Sequence, residues 1–260
     1  MLLNLFVRMK RSLLILSIYH PTPDYDKLLE QNNAYINKCK TTKWFNDNVK
    51  YFFITFRPDL HDEYSIDENR NLMTIRGTET LIPGILHKTL KALEIVTQHL
   101  KWSFDFVLRT TVATNVNVRF LLTHIQTIDT TQNIYLGNIV KLQHYDPPMG
   151  IVSQKYWGTF YAGGNFAIFN YRLVELMLQF RSEFDYSVVD DLALGIFITN
   201  IHQLLEPVNF ISLNRFVSPS GEWNANRMVI FNNSHKHNRS IDINNHLLNN
   251  NTLINTVKNV

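Results

Sequence analysis

The sequence predicts one α/β domain, and three observations lead there. Ser12–Tyr19 and Val49–Phe56 are strand-sized apolar runs, as buried parallel strands show. Between them, Asp24–Lys38 carries Tyr25, Leu28, Leu29, Ala34, Tyr35 and Ile36 at helical spacing, which completes a βαβ unit. The chain has 260 residues, 45% of them hydrophobic, enough for one large domain with a substantial core. No repeat and no Pro-, Gly- or Ser-rich linker divides it.

The remaining elements follow in order. His20-Pro-Thr-Pro23 is a loop, and Arg57–Asn71 reads as a polar loop. Leu72–Ile75 is a short strand and Gly77–Gly84 a loop. Ile85–Leu100 predicts a helix, with Leu86, Leu90, Leu93, Ile95 and Val96 on its apolar side. Phe104–Leu108 is a strand, Asn117–Ile128 a helix, Ile134–Gly137 a strand start, and Asp146–Pro148 a turn. Ala167–Phe169 predicts a strand, and Tyr171–Phe180 and Val188–Thr199 helices. Residues 1–231 are expected to form the domain. Residues 232–260, with Asn232, Asn233, Asn244, Asn245 and Asn249-Asn-Asn251, read as an Asn-rich tail favouring turns and disorder.

Charge and cysteine content narrow the function classes. The formal net charge is +3, dispersed in small groups such as Arg8-Met-Lys10-Arg11 and Lys38-Cys-Lys40. No long basic block interleaves with aromatics, so nucleic acid is not an expected partner. A mild basic excess suits a phosphate-bearing small ligand. Cys39 is the only cysteine, which excludes an intrachain disulfide and argues for a reducing compartment. The N-terminal apolar run is too short for a signal peptide, and its charges follow it. No run approaches membrane-span length. A cytoplasmic location without a membrane span is expected.

Four segments carry a resemblance to a known family. Lys88-Thr-Leu-Lys-Ala-Leu93 resembles the helix before the metal motif of the β-1,3-galactosyltransferase and Fringe-like glycosyltransferases. Phe106-Val-Leu-Arg-Thr110 and Asn115-Val-Asn117 resemble the residues entering and leaving that motif. Lys155–Phe169, with Tyr161-Ala-Gly-Gly-Asn165 at its centre, is similar to the family's Gly-rich segment. Asp190-Asp-Leu-Ala-Leu-Gly195 is similar to its Glu-Asp-Val-x-x-Gly segment. The resemblance spans residues 12 to 205. It implies a GT-A-like fold, a doubly wound mixed sheet with helices on both faces. It implies inverting transfer of a sugar from a UDP-sugar to a hydroxyl on a glycan or other acceptor.

The chain departs from that pattern in three ways. It lacks the membrane anchor and disulfides usual in the family. The Arg-rich segment ending in Trp survives loosely as Lys38-Cys-Lys-Thr-Thr-Lys-Trp44. The metal-binding aspartates are replaced by Thr111, Val112 and Ala113. Mn²⁺ or Mg²⁺ on a diphosphate wants carboxylate oxygens, so metal dependence is expected to be weakened or lost.

The resemblance gives Asp191 the role of base, taking the proton of the attacking hydroxyl. Adjacent helix residues project about 100° apart, so Asp190 and Asp191 are not expected to form a dyad. Ser187-x-x-Asp190 reads as a capping-box variant, giving Asp190 a structural role beside the donor site. The other reading is that both carboxylates only favour a helix N-terminus. Arg109, Lys40, Lys43 and Trp44 are expected to hold the nucleotide diphosphate, with Arg109 also readable as a strand-end charge. Gly163, Gly164 and Asn165 either approach a ligand closely or make a plain turn. Trp157 and Tyr161 either stack on a sugar or fill core. His235 and His237 share a face of an extended segment; they are candidate metal ligands or ordinary surface histidines. A degenerate, partner-binding relative is the competing function. Its precedent is the chaperone specific for core-1 galactosyltransferase, which lacks the metal aspartates. The sequence fixes no oligomeric state, and a homodimer is compatible with it.

Overall fold

The computed structural model describes residues 11–213 and the backbone of 217–218 and 230–232. Asn232, assigned by sequence to the Asn-rich tail, is the last residue of a strand; residues 233–260, His235 and His237 among them, lie outside the described residues.

β1 (Leu13–Ile18) is buried along its whole length, which explains its uninterrupted apolar run. It lies between parallel neighbours β2 (Val49–Arg57) and β5 (Phe106–Thr111). β4 (Leu72–Arg76) extends the parallel set from β2, and β3 (Tyr64–Asp67) closes that edge antiparallel. On the other side β8 (Phe160–Asn170) runs antiparallel to β5 and to β7 (Asn133–Lys141), and β9 (Val208–Ser212) lies parallel to β7. The sheet order is β3-β4-β2-β1-β5-β8-β7-β9. A second, three-stranded sheet joins β6 (Thr114–Val116) to β10 (Val217–Ser218) and β11 (Ile230–Asn232).

Successive β1 side chains point to opposite faces, so the strand feeds two cores. Leu14, Leu16 and Ile18 pack under α3 (Gly84–Glu94), α5 (Tyr171–Gln179) and α6 (Asp190–Leu204). Leu13 and Ile15 pack under α1 (Pro23–Lys40), α2 (Lys43–Asn48) and α4 (Val118–Ile125). The expected mixed α/β sheet with helices on both faces is therefore present. α1 starts where its sequence says it should. Thr22 accepts from the Tyr25 amide, Pro23 opens the first turn, and Asp24 and Asp26 face the positive end of the dipole.

Several elements differ from expectation. Residues 57–71 are not all loop, because β3 pairs with β4 there; as an edge strand it leaves alternate residues to solvent and shows no apolar run. The helix expected over residues 85–100 leaves α geometry at Glu94 and finishes in a π turn, Ile95–His99. β8 begins at Phe160, seven residues before Ala167, because its first half pairs with the end of β7.

Lys88 is the unusual core residue. It is fully buried beneath α3, and its ammonium donates to both Glu79 carboxylate oxygens (2.6 Å each) and to the Tyr19 carbonyl (3.0 Å). Glu79 also accepts from the Phe56 amide (2.7 Å) and the Thr55 hydroxyl (3.0 Å). One ion pair thus ties α3 to the carboxyl ends of β1 and β2. Burial pulls the Lys88 pKa down; the Lys88 ammonium and donated hydrogen bonds hold Glu79 below its ordinary value against the effect of burial. Lys88→Met removes one partner and strands the other charge. It is expected to lower unfolding free energy by about 3–5 kcal/mol, and the double change with Glu79→Leu to recover much of that. Urea unfolding of the three proteins checks both; equal losses in single and double variants would refute the pairing.

Candidate active site

Strand order reverses between β1 and β5, the place where open α/β sheets form a crevice at their carboxyl ends. Arg109 stands on β5 in register with Leu16 of β1 and Ala167 of β8. It is 2% exposed, and its Nη2 donates to Asp190 Oδ2. Asp190, the first residue of α6, is 4% exposed. The pair pins the start of α6 to the middle of the sheet. Lys88 lies close enough that Arg109 lowers its pKa and Asp190 raises it.

Asp191 points differently and is only half-buried. Its Oδ2 accepts from the Gly164 amide (3.0 Å) and its Oδ1 from the Leu192 amide (2.8 Å). A Cβ on Gly164 would stand 3.1 Å from Arg109 Nη1 and 3.4 Å from Asp191 Oδ2, so strand, cation and carboxylate meet at one point. Burial, then the neighbouring Asp190 charge, push the Asp191 pKa up to about 6; Arg109 and the two amides oppose that. A carboxylate so placed can take a proton near neutral pH, which an ordinary aspartate does poorly.

Tyr161 lies beside this carboxylate. Burial and the charges of Asp191 and Asp146 all raise its pKa. The Gly163–Asn165 stretch is held from both sides: Thr110 Oγ1 donates to the Asn165 carbonyl (2.7 Å), and the Ala162 amide donates to Tyr135 Oη (2.7 Å). Trp157 is 41% exposed at the hairpin tip between β7 and β8.

The structure therefore brings together Arg109, Asp190, Asp191, Tyr161, Gly163, Gly164 and Asn165. It does not bring Lys40, Lys43 and Trp44 to them. α1 starts at the carboxyl ends of the strands and runs back, leaving Lys40 at its last turn. Lys43 pairs with Asp47 (3.0 Å) and Trp44 belongs to α2, just before β2 begins. They sit at the opposite end of the sheet, which corrects the expectation of a shared phosphate site. The capping box expected of Ser187 and Asp190 is not formed. Val189 is the N-cap and offers no side-chain bond; Asp190 acts through Arg109, and Ser187 bonds Asp185 instead.

The turn after β5 does not suit a divalent metal. Thr111 and Thr114 hydroxyls bond each other (3.0 Å), Val112 and Ala113 offer no side-chain oxygen, and Asn32 Nδ2 donates to the Val112 carbonyl (2.7 Å). Among the described residues no group of three or more His, Cys, Asp or Glu side chains could hold an ion. No helix among them is long and apolar enough to cross a membrane.

Glu79, Lys88, Asp146 and Tyr145 escaped the sequence reading. Lys88 had one signal: it shares a helical stripe with Ala92 and Ile95, both buried.

The raised Asp191 pKa has a stability consequence. The folded state favours the protonated form, so this group's contribution is full below the ordinary carboxylate value and is lost as pH climbs through about 6. The loss is on the order of 2 kcal/mol after allowing for partial exposure. Asp191→Asn is expected to remove that component of the slope between pH 4 and 7. Denaturant unfolding at stepped pH measures it, and parallel profiles for the two proteins would refute the shift.

No protein-family model and no curated protein sequence matches the chain. Among solved structures it is similar to a glycosyltransferase involved in the glycosylation of the major capsid of PBCV-1. The TM-score is 0.43 at 9% identity, over 91% of this chain and 98% of that one. A likeness at that level is too weak to transfer an activity.

Proposed function

We propose that the chain is an inverting glycosyltransferase that moves a sugar from a UDP-sugar to a hydroxyl acceptor. One observation carries this reading. Asp191 is a half-buried carboxylate with a pKa pushed up to about 6, fixed by the Gly164 amide at the carboxyl edge of the sheet. The motif order noted in the sequence supports the donor class.

The chemistry needs one base. The acceptor hydroxyl oxygen attacks the anomeric carbon as its proton passes to Asp191. The bond from that carbon to the diphosphate oxygen breaks, and its electron pair leaves with the nucleotide. Attack from the face opposite the leaving group inverts the anomeric centre. Asp190 cannot share the work, because its charge is committed to Arg109.

A specific observation favours a second reading, a non-catalytic partner-binding relative. Arg109 is buried against Asp190, and the turn at Thr111–Thr114 offers no carboxylate, so neither supplies charge for a leaving diphosphate.

Activity separates the readings. Purified protein incubated with UDP-sugars, with and without Mn²⁺, is expected to release UDP. Asp191→Asn is expected to slow release by about 10²–10⁴-fold while the donor still raises the melting temperature. The wild-type rate is expected to rise with pH through about 6 as Asp191 ionises. No release from any UDP-sugar would leave the partner-binding reading in its place, and equal release by wild type and variant would refute Asp191 as the base.

A further inference from the structure

Large apolar side chains are unevenly exposed on this molecule. Tyr145 (50%), Val152 (68%), Trp157 (41%) and Phe160 (47%) all fall in the tip of the β7–β8 hairpin, whereas Tyr25, Leu81 and Tyr171 are scattered singly and Leu204 and Leu205 form an aliphatic pair at the end of α6. Scattered apolar residues need no explanation, but a cluster does. Tyr145 and Trp157 rings lie 5.2 Å apart at 55°, forming two walls of one aromatic corner. Phe160 faces the Lys141 ammonium at 5.6 Å.

The tip is rigid. The Leu142 amide donates to the Thr159 carbonyl and the Gly158 amide to the Leu142 carbonyl, both 2.9 Å. Asp146 bridges to Ile151, and buried Tyr156 donates to Asp185 Oδ2 (3.0 Å). The tip is also fastened to the catalytic candidate. The Val189 amide, one residue before Asp190, donates to the Met149 carbonyl (3.0 Å). Gly164 lies four steps along β8 from Phe160, about 13 Å of strand, with Tyr161 on the way. Asp146, in the tip, is near enough for its charge to add to burial and Asp191 in raising the Tyr161 pKa.

We infer that this hairpin tip is the acceptor subsite, and that it takes a neutral saccharide. One sugar ring lies on Trp157 and Tyr145, a hydroxyl donates to Asp146, and the chain of sugars leads along Tyr161 to Asp191. The inference rests on the transferase reading for its direction of travel. Flat aromatic faces suit the apolar C–H face of a pyranose, and a carboxylate can only accept, which suits hydroxyls. Asp146 in the tip and Asp191 at the reacting end oppose an acidic saccharide by like charge. Of the tip's cations, Lys155 is met by Asp185 at 3.9 Å and Lys141 lies over the Phe160 ring.

The test is retention of the purified full chain on an array of immobilised neutral oligosaccharides and their sialylated or sulfated counterparts. Neutral glycans are expected to retain it, and acidic ones at least tenfold less. Trp157→Ala is expected to lose retention at least tenfold, and Trp157→Phe, which keeps a flat ring, to restore most of it. The UDP-sugar shift in melting temperature is read on the same samples. If neutral glycans bind through Trp157 but no UDP-sugar is turned over, the transferase reading fails and the saccharide subsite stands. The inference is overturned by no retention, by equal retention of acidic glycans, or by Trp157→Ala binding like wild type. A dimer in solution that Trp157→Ala dissociates would also overturn it, assigning the patch to a second copy of this chain.

Discussion

Two buried cations hold the carboxyl ends of the central strands under the helices. Lys88 answers Glu79 and Arg109 answers Asp190, and the four groups lie in one layer between the sheet and α3 and α6. Each pair is costly to desolvate and fails badly if halved. What the arrangement provides is position. Lys88 draws α3 to the end of β1, and Asp190 fixes where α6 begins.

Asp191 is the remainder of that arrangement. Two cations meet two carboxylates, and Asp191 adds a fifth charge with no cation of its own. Burial first, and then the Asp190 charge, disfavour its negative charge, although Arg109 and two amides soften the effect. Neighbouring aspartates in one helix turn thus acquire different chemistry from direction alone. One faces the sheet and is neutralised by Arg109; the other faces Gly164 of β8 and accepts from its amide.

Much of the fold was legible because parallel strands covered on both faces must be apolar throughout, and β1 and β2 are. Edge strand β3 was hidden because half its residues face water. β9 was hidden because only Val208 of its five residues is buried. Of the candidate site, the pairs Gly163-Gly164 and Asp190-Asp191 stood out in sequence, and the fold brings Gly164 against Asp191. It was not legible where partners are far apart. Arg109 and Asp190 are 81 residues apart, and no local pattern announces that the arginine's charge is spent inside the protein. Lys40, Lys43 and Trp44 were misplaced for a related reason: a helix of 18 residues carries the chain from one end of the sheet to the other.

Gly195 sets how closely these parts approach. It lies one turn beyond Asp191, where α6 rides directly on β8; a Cβ there would stand 2.5 Å from Tyr161 Cβ and 2.7 Å from the Phe160 carbonyl oxygen. Strand and helix touch backbone to backbone, with no side chain between them to act as a cushion. Packed interiors transmit strain rather than absorb it. Any side chain at 195 would therefore lift α6 off β8, and the Asp191 carboxylate, which rides on that helix, would leave the Gly164 amide that now holds it.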